Sequence, residues 1–264
     1  MGSQYNTPQI ITDKLTLCYD ASNIKSYPGS GTTWKDLSVH GYHCILQNGP
    51  VFDTDHFTFD GTNDRGFVKT LSYGGGKTMS EMSVFAWIRT TYNAGTPGVW
   101  DSTNWALLDF DRSEVFTFAV NPAGEVLMSG RSSNTGGNGN YYDLVGTKRN
   151  NDGNFHYIGY TFSVANQEIV MYVDGEVDRT HSANGSMTSL GAGGTRFGLV
   201  GDGSEAGTEG GGGNDIFYDG DIAFLHFYDK KSLTASEVKQ NYDSMRGRFG
   251  LWVRYIIRQL LGII

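Results

Sequence analysis

Glu176-Val177-Asp178 begins a pattern that could act on a glycosidic bond. Alternate residues of a strand share one face, so a Glu-x-Asp-x-x-Glu run, or a close variant, lines up nucleophile, helper and proton donor. Here Arg179-Thr180-His181 follows with no third carboxylate, and Asp174-Gly175 places the pair at a hairpin. Without an acid to protonate the leaving oxygen, glycoside hydrolysis lacks an essential part, and the expectation is a protein that is not an enzyme. Gly74-Gly75-Gly76-Lys77-Thr78 resembles the end of a phosphate loop, but the first glycine of G-x-x-x-x-G-K-[ST] would fall on Leu71. No helix N-terminus follows to hold a phosphate, so the segment reads as a surface turn. The six histidines have no zinc-ligand spacing near cysteines, and no G-x-S-x-G elbow is present. His226 alternates with Phe224 and Tyr228 and reads as a core histidine.

Two kinds of binding site are within reach of the remaining residues. Calcium needs six to eight oxygens, and Asp60, Asn63 and Asp64, or Asp202, Glu205 and Asp215 around the glycine-rich loop, could contribute some of them. Short Asp and Asn side chains also bond their own backbone in turns, which requires no ion, so no cofactor is expected and calcium stands as the alternative. A glycan surface needs aromatic faces beside Asn and Asp. Trp100 and Trp105 flank a polar tetrapeptide, and Asn140-Tyr141-Tyr142-Asp143 follows a glycine-rich stretch. These six residues are the glycan-binding candidates; the competing reading has the aromatics filling the edge of the fold.

The elements that must position such groups are strands. Among 264 residues there are 37 Gly, 15 Tyr, 15 Phe and 5 Trp, the composition of many tight turns between aromatic-rich strands. Helical periodicity is nearly absent before position 230, whereas short apolar runs bounded by Gly, Asn and Asp recur. The clearest predicted strands are 15–19, 56–59, 82–90, 106–110, 115–120, 155–163, 168–173 and 221–228. In the third of these, Met82, Val84, Ala86 and Ile88 share one face and Phe85 and Trp87 the other. Both faces are apolar, so the strand must be covered on both sides, as in the middle of a sandwich. Asp174-Gly175 predicts a two-residue hairpin. Thr234-Ala235-Ser236-Glu237 is a capping box and predicts a helix over 234–245. Cys18 and Cys44 read as buried thiols rather than a disulfide, because no secretory signal is expected in the first fourteen residues. A net charge of -8 argues against nucleic acid as a partner.

Four segments carry a family resemblance. They are 10–38, with Leu15-Thr-Leu-Cys-Tyr-Asp-Ala-Ser-Asn23 and Trp34-Lys-Asp36; Phe59-Asp60-Gly61-Thr62-Asn63-Asp64 followed by the strand around Trp87; Met171-Tyr-Val-Asp-Gly175; and Gly220–Asp229 running into Leu233–Tyr242. Together they resemble the concanavalin A-like, laminin-G-type domains common in bacteriophage and marine viral proteins. The resemblance implies an all-β, two-sheet antiparallel jelly roll with a short C-terminal helix. It also implies a non-catalytic virion structural protein, in capsid decoration or a fibre, assembled in the host cytoplasm. Its expected partners are other virion proteins, further copies of itself and a host-surface glycan; the alternative is a free carbohydrate-binding module or adhesin.

The expected organisation is an arm over 1–14, the sandwich with its packing helix over 15–246, and an apolar tail over 247–264. In that tail Trp252, Ile256, Leu260 and Ile264 recur every four residues beside Val253, Ile257 and Leu261. A helix there would carry a broad apolar stripe that needs a partner, so the tail is expected to serve oligomerisation or docking.

Overall fold

The computed structural model describes residues 9–93, 105–132, 141–182, 186–191, 193–203 and 216–250, the side chain of Tyr141 excepted. Among the described residues, sixteen strands precede one helix. They are β1 (Leu15–Asp20), β2 (Thr33–Trp34), β3 (Cys44–Gln47), β4 (Val51–Asp53), β5 (His56–Asp60), β6 (Arg65–Tyr73), β7 (Glu81–Arg89) and β8 (Trp105–Asp109), then β9 (Phe116–Val120), β10 (Val126–Arg131), β11 (Tyr141–Val145), β12 (His156–Ser163), β13 (Glu168–Val173), β14 (Glu176–Ser182), β15 (Arg196–Val200) and β16 (Asp219–Asp229). The helix α1 spans Ala235–Met245 and passes into a short 3-10 turn, Arg246–Phe249.

The strands form two antiparallel sheets of a sandwich. One has the order β14-β13-β12-β7-β16-β5-β4, with β1 on the far half of the long strand β16; the other runs β11-β10-β9-β8-β15-β6-β3-β2. Strand β7 lies in the middle of the first sheet. Met82, Val84, Ala86 and Ile88 point into the core between the sheets, while Phe85 and Trp87 belong to a second apolar cluster on the outward face. Period-two alternation with two apolar faces therefore has a physical destination on each side.

The outward cluster is roofed by α1. Thr234 caps the helix through the reciprocal bonds of the capping box with Glu237, which satisfy otherwise unpaired N–H groups. Val238, Asn241 and Met245 form the buried side, and Tyr242 and Phe249 stack on Trp87 with ring centroids 5.5 and 4.3 Å away. Asn241 ties the roof to the sheet: its Oδ1 accepts from the Ile11 amide at 2.8 Å and its Nδ2 donates to the Tyr228 hydroxyl at 3.1 Å. Beneath it His226 is fully buried, with Nε2 2.6 Å from the Tyr157 hydroxyl. Burial lowers its pKa to about 3, so the ring is neutral.

Asp174 and Gly175 both take positive φ, 54° and 80°, the requirement of the turn expected between β13 and β14. Cys18 lies in the outward cluster and Cys44 in the core between the sheets; both are buried free thiols, and burial pushes both pKa values up. Gly74 and Lys77 exchange backbone hydrogen bonds as a tight turn, and a strand, β7, follows it. Among the described residues, no helix is long and apolar enough to cross a membrane.

Candidate functional site

One end of the first sheet gathers polar side chains on the face that is otherwise aromatic. In the antiparallel register Asp221 of β16 pairs with Thr58 of β5 on one side and Arg89 of β7 on the other. Directly paired residues point to the same face, so the three form one row, on the same face as Phe85 and Trp87. A bulge between Ile222 and Phe224 makes this arrangement compatible with the rest of β16. The extra residue shifts the alternation, and Asp221 and His226, an odd number of residues apart, both face outward.

The row is joined by short contacts. Arg89 Nε donates to Asp221 Oδ2 at 2.5 Å, and the Thr58 hydroxyl donates to Asp221 Oδ1 at 2.6 Å. Arg89 Nη2 meets His56 Nε2 at 3.2 Å, and His56 Nδ1 lies 2.8 Å from Asp55 Oδ1. His56 Nε2 also lies 3.6 Å from Asp221 Oδ1, so the ring stands between the two carboxylates and beside the guanidinium. The guanidinium also sits 4.7 Å above the centre of the Phe155 ring, a cation-π contact. Asp221 keeps only 9 % of its side chain exposed while Arg89 keeps 38 %. The carboxylate is thus buried behind a cation that still reaches solvent.

Thr58, Arg89, Thr90, Thr91, Gly153 and the segment 219–221 line a pocket of about 310 Å³. Gly220 shapes its wall: at φ 145° a Cβ there would stand 2.5 Å from the Arg89 carbonyl oxygen and 2.8 Å from the Tyr218 hydroxyl. Asp219 lines the pocket and receives no hydrogen bond on its carboxylate among the described residues. Its pKa is raised, first by burial and then by the charges of Asp60 and Asp221. Tyr92, 36 % exposed, is held beside the pocket by its amide bonding to Thr90 Oγ1 at 3.1 Å. The lining offers a planar donor, hydroxyls and a carboxylate to one small volume, which suits a ligand rich in hydroxyl groups.

None of the described residues singled out from sequence lines this pocket. Trp105 is 6 % exposed and packs edge-on against Tyr92, with centroids 3.9 Å apart; it supports the exposed ring. Tyr142 packs against the core, and its hydroxyl accepts from the Thr188 amide at 2.9 Å. Asp143 is engaged by Ser129 and by Arg112 at 3.3 Å. All three take part in packing or local bonding. Trp100, Asn140 and the Tyr141 side chain lie outside the described residues.

Asp60 accepts the amides of Thr62 at 2.8 Å and Asn63 at 3.2 Å, the geometry of a turn, and those bonds, Thr62's foremost, hold its pKa down. Asn63 uses its carbonyl oxygen to accept from Asn48 at 2.6 Å, and buried Asp64 accepts the Asp60 amide at 3.2 Å. Asp202 is fully buried, accepting the Ile216 amide at 3.2 Å and facing Arg65 at 3.3 Å. Glu205 and Asp215 lie outside the described residues, as do Trp252, Val253, Ile256, Ile257, Leu260, Leu261 and Ile264. Among the described residues, no group of three or more His, Cys, Asp or Glu could hold a metal ion. Glu176 and Asp178 are on the edge strand β14, where Asp178 accepts from the amide of Thr147 at 2.8 Å and from its hydroxyl at 2.5 Å.

Sequence reasoning missed Thr58, Arg89, Asp219 and Asp221. The available signal was Arg89, a charge directly after the apolar run Val84–Ile88, and Asp219-Gly220-Asp221, an acidic start to another strand.

The family model of the concanavalin A-like lectin/glucanases superfamily matches residues 60–239, more than half of the chain. The chain belongs to this superfamily. The matched stretch of this lectin/glucanase-type domain carries Arg89, Asp219 and Asp221, and the two-sheet jelly roll with its short C-terminal helix is the fold of the family. Among solved structures, the chain is similar to the binding domain of Paraclostridial Mosquitocidal Protein 1, at a TM-score of 0.60 and 13% identity over 88% of this chain and 52% of that one. It is also similar to the botulinum neurotoxin serotype D ligand binding domain in complex with N-acetylneuraminic acid, with TM-score 0.56 and 12% identity over 88% and 51%. The binding domain of botulinum neurotoxin DC in complex with rat synaptotagmin II gives 0.55 and 11% over 89% and 52%. The lectin/glucanase-type chain therefore spans about half the length of these structures, and at such identities they share its fold. No curated protein matches.

Proposed function

We propose that this chain is a non-catalytic, lectin-type binding domain whose ligand is a glycan held at the corner of β5, β7 and β16. The observation that carries the reading is the solvent-reaching row Thr58–Asp221–Arg89, which ends in the pocket lined by Asp219. Fixed donors and acceptors in one small volume, with Tyr92 and Phe155 nearby, complement sugar hydroxyls and a sugar face. Binding domains with this fold, one of them in complex with N-acetylneuraminic acid, support it by analogy. Binding rather than catalysis is favoured because both Asp221 oxygens are engaged, by Arg89 and by Thr58. A nucleophile or base needs an oxygen that can face the substrate.

A glycan array probed with the full chain, beside Arg89→Ala, tests the reading. Binding that the variant loses supports it; binding that the variant leaves unchanged moves the site elsewhere. Hydrolysis of any bound glycan, lost in Asp221→Asn, would overturn the non-catalytic part.

The finer part of the proposal is that the domain is displayed on a bacteriophage virion, with the tail from 247 to 264 docking to another virion protein or to further copies of the chain. It is supported by the resemblance of the segment around Ser26-Tyr27-Pro28-Gly29-Ser30-Gly31 to phage structural proteins and by the apolar tail. Mass spectrometry of purified particles that does not find the chain removes the virion. Equal mass in light scattering for the full chain and one ending at Gly250 removes self-association through the tail.

A further inference from the structure

The charge left over in the pocket restricts its ligand. The charged groups that line it are Arg89 on β7 and Asp219 and Asp221 on β16. Asp60, at the end of β5, stands opposite Asp219 in the register and beside it in space, since a Cβ on the adjoining Gly61 would touch the Asp219 side chain. Arg89 and Asp221 neutralise one another at 2.5 Å. What remains among the described residues is the Asp219 carboxylate with a second carboxylate, Asp60, behind it.

Asp60 already has its partners, the amides of Thr62 and Asn63, and its side chain is turned to them. Asp219 has none among the described residues, and its neighbours repel its charge: burial, Asp60 and Asp221 all act to raise its pKa. A carboxylate in that position gains from any donor and most from a cation, whose charge offsets both neighbours. Arg89 Nη1 has no acceptor among the described residues, because Nε is used by Asp221 and Nη2 by His56. A bound molecule thus meets a free N–H donor on one side and an unpaired carboxylate on the other.

We infer that the pocket takes an amino sugar with a free ammonium group, its hydroxyls on Arg89 and Thr58 and its ammonium on Asp219. The inference rests on the glycan reading above and deepens it. Acetylation of the amine removes the cation while keeping the ring, so it removes the contact that Asp219 supplies. A sialylated glycan would bring a second anion toward Asp219 and Asp60 and is disfavoured for the same reason.

Calorimetric titration of the full chain at about pH 6, where an amine of this kind is protonated, decides the matter. The probes are glucosamine oligomers, N-acetylglucosamine oligomers of equal length, and sialyllactose. Glucosamine oligomers are expected to bind about tenfold or more tighter than their acetylated counterparts, a difference of about 1.4 kcal/mol. Asp219→Asn should bring the two within about twofold by weakening only the free amine. If Asp219→Asn does not fold, Asp60→Asn replaces it and should narrow the gap in the same direction. Equal or tighter binding of the acetylated or sialylated probe overturns the inference while leaving a glycan site in place, as does a preference that survives the variant. Binding of none of the three removes the inference, while the glycan reading stands or falls with the array.

Discussion

Arg89 and Asp221 lie on neighbouring strands, β7 and β16, 132 residues apart in sequence, and their side chains meet at 2.5 Å on the outward face of the first sheet. The pair closes one end of a row that is aromatic from Trp87 onward, and it separates the roofed part of that face from the open pocket. Its two members differ in solvent access, which gives each a different sensitivity to substitution.

Arg89→Ala leaves Asp221, with 9 % of its side chain exposed, holding a charge answered by the Thr58 hydroxyl and, at 3.6 Å, by His56 Nε2. Removing one partner of a mostly buried pair costs about 1–3 kcal/mol. Denaturant unfolding is expected to show that loss, while Asp221→Asn, which removes the charge itself, should cost less in stability. Equal costs for the two would mean that the pair is screened by solvent rather than buried.

Gly220 sits at φ 145° with the Arg89 carbonyl and the Tyr218 hydroxyl where a Cβ would be. Gly220→Ala must open the β7–β16 ladder at the pocket, and a strained non-glycine residue of this kind costs roughly 1–3 kcal/mol. The expected outcome is a lower Tm together with weakened ligand binding. A variant as stable as the parent would show that the strand end can move aside.

His226 supplies a pH dependence. Its pKa in the folded chain is about 3 against 6.5 when unfolded, so between those values the unfolded chain binds the extra proton. Stability is therefore fully present above pH 6.5 and is lost as pH falls toward about 3, at up to about 1.4 kcal/mol per pH unit for this one group. Asp109, whose burial raises its pKa, acts in the opposite direction. The difference between the parent chain and His226→Gln isolates the histidine: the variant's stability should fall less steeply over that window. Parallel curves would mean that His226 takes its proton without unfolding.

Thr234 supplies the helix cap. Thr234→Ala removes the hydroxyl that the Glu237 amide bonds at 3.3 Å and with it the capping box, a loss of about 1 kcal/mol. Because α1 roofs Trp87, fluorescence of that tryptophan in mild denaturant should report earlier exposure in the variant. A spectrum that changes only with global unfolding would show that the roof does not open separately.

Much of this architecture is written locally. Met82 to Ile88 alternate between two apolar faces, Asp174-Gly175 admits the two positive φ values of its turn, and Thr234 to Glu237 cap a helix whatever lies around them. Each signal depends on neighbours in the chain, so the sequence by itself determined the all-β class, the central place of β7, the β13–β14 turn and the roofing helix. Strands β6, β10 and β15 were not legible, because Gly66, Gly130 and Gly198 interrupt their patterns. The reason for those glycines is tertiary: a Cβ at Gly66 would run into Cys44 Sγ, one at Gly130 would stand 3.0 Å from Leu190, and one at Gly198 would stand 3.1 Å from the Phe110 ring. The site was hidden for a related reason. Thr58, Arg89 and Asp221 come from three distant segments, and only the antiparallel register, shifted by the bulge after Ile222, brings them into one row. That bulge appears in the pairing of β16 with β7, and a lone chain segment carries no trace of which neighbours it will pair with.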